Sequence, residues 1–125
     1  MKGAFIIRER KGGYSLNYRM PDGELLFKPS VYPDYDSVME MAEYLATLDD
    51  MEQWCLQCSS CKTDFTVVFS NDDRRTLFEG KHKYTKRKAW DRVRAMCESF
   101  ADAETIVLKK GQRLKPPKEK SAGSQ

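Results

Sequence analysis

The chain has one histidine, His82, in 125 residues, and the sequence fixes no cysteine, serine or carboxylate beside it. A histidine acting as acid, base or nucleophile partner needs such a neighbour, so the expectation is a loop histidine in a non-enzymatic protein. No run of about eighteen apolar residues occurs, which excludes a membrane-spanning helix. The first residues, Met1-Lys2-Gly3-Ala4-Phe5, lead directly into a strand pattern. They lack the apolar stretch and small-residue cleavage site of a secretory signal, so a cytoplasmic location is expected. The four cysteines are then expected to stay reduced.

Those cysteines also lack a metal-site pattern. Cys55-x-x-Cys58-x-x-Cys61, with Cys97 as a fourth candidate, puts Cys55 and Cys58 on opposite faces of a strand. Only Cys58-Ser59-Ser60-Cys61 has knuckle spacing, without the usual glycine or proline. Cys97 falls on an inward helical position. Free thiols with no cofactor are the reading adopted, structural zinc the alternative.

What the sequence does carry is a doubled pattern. An alternating run (Tyr14, Leu16, Tyr18) precedes a turn at Pro21-Asp22-Gly23, then Leu25-Leu26-Phe27, a lone Tyr32, and a helical stripe through Val38, Met41, Leu45 and Leu48. Phe65, Val67 and Phe69 then precede Asn71-Asp72-Asp73, Leu77-Phe78, Tyr84 and a stripe through Trp90, Val93, Cys97 and Phe100. From Tyr32 to Phe100 the second copy is the first displaced by 52 residues. The fold class predicted is α+β: tandem duplicated βββα units, an antiparallel sheet with two helices packed on one layer.

The first unit spans 1–51, with strands at Ala4 to Arg10, Tyr14 to Arg19 and Glu24 to Lys28, then a helix capped by Asp34 or Asp36. The second spans 52–109, with Thr85 capping a helix to about Phe100 and a short strand from Thr105 to Leu108. The two units share one compact domain. Residues 110–125 are Pro-, Lys-, Gly- and Ser-rich, too poor in apolar side chains to offset ordering entropy, and are expected to be a disordered basic tail.

The aromatic strand start, the Asp22-Gly23-Glu24 turn, the isolated Tyr32 and the amphipathic helix after it resemble the small duplicated bacterial proteins of the YegP family. The resemblance covers residues 4–48 and, more faintly, 65–100. It implies a fold and transfers no functional residue. Residues 65–100 also resemble the arm-type DNA-binding domains of tyrosine integrases, through a three-stranded meander followed by Tyr84-Thr85-Lys86-Arg87-Lys88-Ala89-Trp90. That likeness implies a sheet face presented to the major groove, although Thr66, Val68 and Ser70 offer no cation to read bases.

Net charge sharpens the functional reading. Residues 1–51 carry six basic and nine acidic side chains, whereas 74–94 carry nine basic against two acidic. Arg74, Arg75, Lys81, Lys83, Lys86, Arg87 and Lys88 are the candidate phosphate contacts, three of them in a helical first turn where cations oppose the macrodipole. An anionic partner explains that placement, and an ordinary solvated face is its rival. The expected function is binding of nucleic acid or another polyanion through the second unit. The alternative is a protein-interaction or inhibitor module, such as a mobile element would encode, using the acidic first unit or a sheet edge that also pairs two chains as a homodimer.

Overall fold

The computed structural model describes residues 2–116. The stretch 117–125 of the expected tail lies outside the described residues.

Strands β1 (Ala4–Arg10) and β2 (Gly13–Arg19) form an antiparallel hairpin that pairs Phe5 with Tyr18 and Ile7 with Leu16. Those four side chains are buried on one face, as period-two alternation requires. Gly13 sits against the Tyr32 carbonyl, where any Cβ would collide with the oxygen.

The third strand differs from the expectation. The run Leu25-Leu26-Phe27 predicts a strand over Glu24–Lys28, yet the segment forms only isolated bridges, Arg19 with Leu25 and Phe27 with Gly80. The regular third strand is β3 (Ser30–Tyr32), beyond Pro29. The reason is a side chain. Asn17 Nδ2 donates to the Phe27 carbonyl at 2.8 Å and its Oδ1 accepts from the Phe27 amide at 3.0 Å. The amide group of Asn17 stands where a strand backbone would pair, so the chain is displaced and crosses to the second half. There the Lys28 amide donates to the Glu79 carbonyl and the Lys81 amide to the Leu26 carbonyl.

Helix α1 (Tyr35–Thr47) follows, its N-terminus capped by Asp34, whose carboxylate accepts from the Ser37 amide at 2.8 Å. A short 3-10 turn (Met51–Gln53) leads to β4 (Cys55–Cys58), β5 (Phe65–Ser70) and β6 (Thr76–Glu79), an antiparallel sheet in that order. Helix α2 (Lys86–Ser99) is capped by Thr85, whose hydroxyl accepts from the Lys88 amide. It starts one residue earlier than a displacement of α1 by 52 would place it. The chain closes with β7 (Glu104–Leu108), which runs parallel to β1 and completes a sheet of order β3-β2-β1-β7. The architecture is α+β, with α1 lying on β2 and β3 and α2 on β5.

Val38, Leu45 and Leu48 of the first helical stripe are buried, as are Val93, Cys97 and Phe100 of the second, with Met41 and Trp90 half-buried. Tyr32 pairs with Tyr14 across the first sheet, and Tyr84 bridges Phe65 in the second half. Two aromatic groups anchor the core. Phe27 stacks on Trp54 at 5.6 Å, and Trp54 meets Phe69 edge-on at 5.5 Å. Phe5, Tyr18 and Phe100 form the other, so the end of α2 reaches onto the first sheet. Each such ring contributes about 1.5–3 kcal/mol through burial. The Trp54 indole N–H is satisfied by the Leu48 carbonyl at 2.9 Å.

Residues 110–116, the described part of the expected disordered tail, lie on the outer face of the first sheet. Leu114 packs there against the buried cluster of Ala4, Ile6 and Leu108, which Leu25 and Ile106 also cover. Composition missed this because one leucine and a few main-chain bonds carry the docking.

Candidate functional site

The seven candidate cations are all exposed, and among the described residues none is engaged in an ion pair. The fold does not gather them into one patch. Arg74 and Arg75 lie on the β5–β6 turn, where the Asn71 amide donates to the Arg75 carbonyl and the Arg75 amide donates to Asn71 Oδ1. That turn sits at the Ser70–Thr76 end of the hairpin. Lys81 and Lys83 flank the other end, where Tyr84 bridges Phe65. Four to five residues of strand separate the two ends, roughly 15 Å. Lys86, Arg87 and Lys88 join Lys81 and Lys83 at the second end, in the first turn of α2. The candidate cations therefore divide into a main cluster of five and an outlying pair.

Arg74 holds a left-handed backbone, φ 62°. A non-glycine residue is disfavoured there by about 1 kcal/mol. Glycine would relieve that strain, and the chain carries a cation instead.

Arg92 lies one turn beyond the main cluster and behaves differently. Its Nη2 donates to Asp22 Oδ2 at 2.6 Å and to Glu24 Oε1 at 2.8 Å, and its Nε donates to the same Glu24 oxygen at 3.0 Å. The Tyr84 hydroxyl donates to Glu24 Oε1 at 2.7 Å. His82 stands 4.0 Å from the other Glu24 oxygen. The acidic turn of the first half is thus clamped onto the second half. Burial pushes the Tyr84 hydroxyl pKa up, and the Glu24 carboxylate pushes it further. Burial works against the Arg92 charge, but Asp22 and Glu24 more than compensate and hold the guanidinium protonated. At Asp22, burial would raise the carboxyl, yet the Glu24 amide and Arg92 outweigh it and hold the group below its ordinary value.

With three donors on one oxygen, Glu24 serves as an anchor. Sequence reading missed this cluster by treating Asp22 and Glu24 as turn punctuation. The signal was Arg92 itself: it lies between Ala89, Val93 and Met96, all buried, and a cation on a core-facing stripe requires an acid.

Cys97 is buried and its thiol donates to the Leu48 carbonyl at 3.5 Å. Burial, with Asp49, Asp50 and Glu98 nearby, pushes that thiol up to about 11. Cys55, Cys58 and Cys61 are exposed on β4 and the turn after it. Among the described residues no cluster of three or more His, Cys, Asp or Glu side chains is placed to share a metal ion. No helix among them is long and apolar enough to cross a membrane.

No described protein family matches the chain by sequence, and no curated protein does. Two solved structures share its fold. A UPF0339 protein of Shewanella oneidensis superimposes with a TM-score of 0.70 at 12% identity, over 89% of this chain and 95% of its own. The yegP protein of E. coli, described as of unknown function, gives a TM-score of 0.67 at 13% identity, over 90% of this chain and 97% of its own. The chain therefore has the fold of the YegP-like UPF0339 proteins, as the turn and helix pattern of residues 4–48 implied.

Proposed function

We propose that the protein is a small, non-enzymatic binding module that engages nucleic acid, or a polyanion of similar charge density, through its second half. One observation carries this reading. Lys81, Lys83, Lys86, Arg87 and Lys88 stand exposed at one end of the β5–β6 hairpin with no carboxylate partner among the described residues. The neighbouring Arg92, by contrast, is neutralised by Asp22 and Glu24. Free amides of the α2 first turn add donors suited to a phosphate. Lysines and arginines left unpaired on one surface are the electrostatic footprint of phosphate binding. The outlying Arg74 and Arg75 come into play only for a ligand long enough to span the hairpin, which favours a strand over a small anion. The integrase-arm likeness of residues 65–100 supports the same partner without base-specific readout.

A second reading rests on the edges of the first sheet. Val31 on edge strand β3 is 63% exposed, and Val107 on the opposite edge strand β7 is 43% exposed. Unpaired edges of this kind accept another strand, from a second copy or from a protein partner. The two readings separate on purification. Nucleic acid held by the cations raises the 260/280 nm absorbance ratio of the protein, and a high-salt wash lowers it. A ratio unchanged by the wash, together with a concentration-dependent dimer, supports the edge reading.

A further inference from the structure

The outer face of the first sheet holds a cation without a counter-charge among the described residues. Away from the helices, β1 and β2 present the pairs Ala4–Arg19, Ile6–Asn17 and Arg8–Ser15. Residues 109–116 run across this face, starting from a turn in which Gly111 adopts φ +83°. Arg8 Nη1 donates to the Gln112 carbonyl at 2.6 Å, Arg19 Nη1 donates to the Lys115 carbonyl at 2.7 Å, and the Lys110 amide donates to Glu9 Oε1 at 3.0 Å. Arg19 is only 5% exposed, and its Nε is the sole buried side-chain nitrogen or oxygen without a partner among the described residues.

A guanidinium under cover, matched by a neutral carbonyl and carrying an orphan N–H, is an unfavourable arrangement. The covering segment makes it less favourable, since it brings Lys109, Lys110, Arg113 and Lys115 and no acid. Among the described residues, Glu9 is the one acid that meets the segment, and Leu114 is its one apolar anchor. The closed arrangement is therefore weakly held and electrostatically opposed.

We propose that residues 109–116 are a releasable strap, and that Arg19 and Arg8 form a phosphate site taken by a nucleic-acid strand when the strap lifts. The Nε and Nη edge of a guanidinium matches two oxygens of one phosphate. Such a group would satisfy the orphan Nε and supply the charge that the Lys115 carbonyl lacks. The cations of the lifted strap, Lys109, Lys110, Arg113 and Lys115, then close on the same strand. The face belongs to the first half and is separate from the cations of the second, so either site can fail without the other.

The test follows the Arg19 Nε–H signal and exchange of the Lys110 amide by NMR on the isotope-labelled full chain. A short oligothymidylate and, separately, inorganic phosphate are titrated at low salt. The oligonucleotide is expected to shift the Arg19 signal saturably and to speed Lys110 exchange roughly tenfold, the scale of one lost hydrogen bond. Free phosphate is expected to shift the Arg19 signal weakly and to leave the strap closed. Saturation by phosphate with no response to the oligonucleotide would overturn the strand as ligand.

The same response is expected when Arg74, Arg75, Lys86, Arg87 and Lys88 are neutralised together; its disappearance there would overturn a separate site. Arg19→Met is expected to melt no lower than the parent and to lose the response, and Arg8→Met to weaken it. A marked fall in melting with the strap response intact would make Arg19 a strut and overturn the proposal.

Discussion

Single side chains decide the two least obvious features of this molecule. Asn17 takes both main-chain groups of Phe27 and turns a predicted strand into a crossing between the halves. Replacing it with alanine orphans a buried N–H and a buried carbonyl, so a loss of about 2–4 kcal/mol is expected in urea unfolding. Arg92 decides how the halves are held. Arg92→Met leaves Asp22 and Glu24 facing each other and should cost about 1–3 kcal/mol. Because the folded Asp22 carboxyl titrates below its unfolded value, its stabilising effect is present above the ordinary carboxylate range and is lost as pH falls through the folded value. The melting difference between the parent and Asp22→Asn should accordingly be visible at neutral pH and close in strong acid. Arg74 runs the other way. Arg74→Gly should raise stability by about 1 kcal/mol by relieving the left-handed backbone, while weakening polyanion binding. The Arg92 clamp is hidden in the sequence because its acids lie 68 and 70 residues away, whereas the Arg74 conformation is a local backbone property that its residue type does not announce.

Elements were legible where their signals are local. Both helices follow from apolar spacing, and their caps, Asp34 and Thr85, from residue types that accept from free amides. The hairpin of β1 and β2 and the run that became β7 were likewise readable. What could not be read was pairing. Nothing near Thr105 announces that it lies beside Phe5, and nothing near Leu25 announces that Asn17 displaces it. The docking of residues 110–116 was illegible for a similar reason, since their partners Glu9, Arg8 and Arg19 lie about a hundred residues upstream. The inward position of Cys97 on α2 was legible, and it has a chemical consequence. A thiol reagent at mildly alkaline pH should label Cys55, Cys58 and Cys61 promptly and Cys97 only on unfolding, because its thiol is buried and pushed up to about 11. Four thiols reacting at one rate would contradict this placement.

Across the whole molecule, charge is the feature that links the fold to the proposed function. The acidic turn of the first half is consumed by Arg92 and Tyr84 in holding the halves together, whereas the cations of the second half are left exposed. Their identity was legible from the run 74–94, but their division was not, because it follows from the length of the β5–β6 hairpin. That division shapes the outcome of the most direct test: titration of labelled duplex DNA, single-stranded DNA and RNA at roughly 50 mM salt, repeated as salt rises. Each phosphate neutralised releases condensed counterion, so affinity should fall steeply with salt, by about 0.9 logarithmic units per tenfold for each contact on a duplex. Neutralising Arg74, Arg75, Lys86, Arg87 and Lys88 should flatten that slope and leave the fold intact, or slightly firmer because α2 loses cations opposing its dipole. Neutral substitutions of Lys2, Lys11 and Lys28 in the first half should change it little. Absence of binding to all three nucleic acids at that salt, or a slope untouched by the five substitutions, would contradict the account.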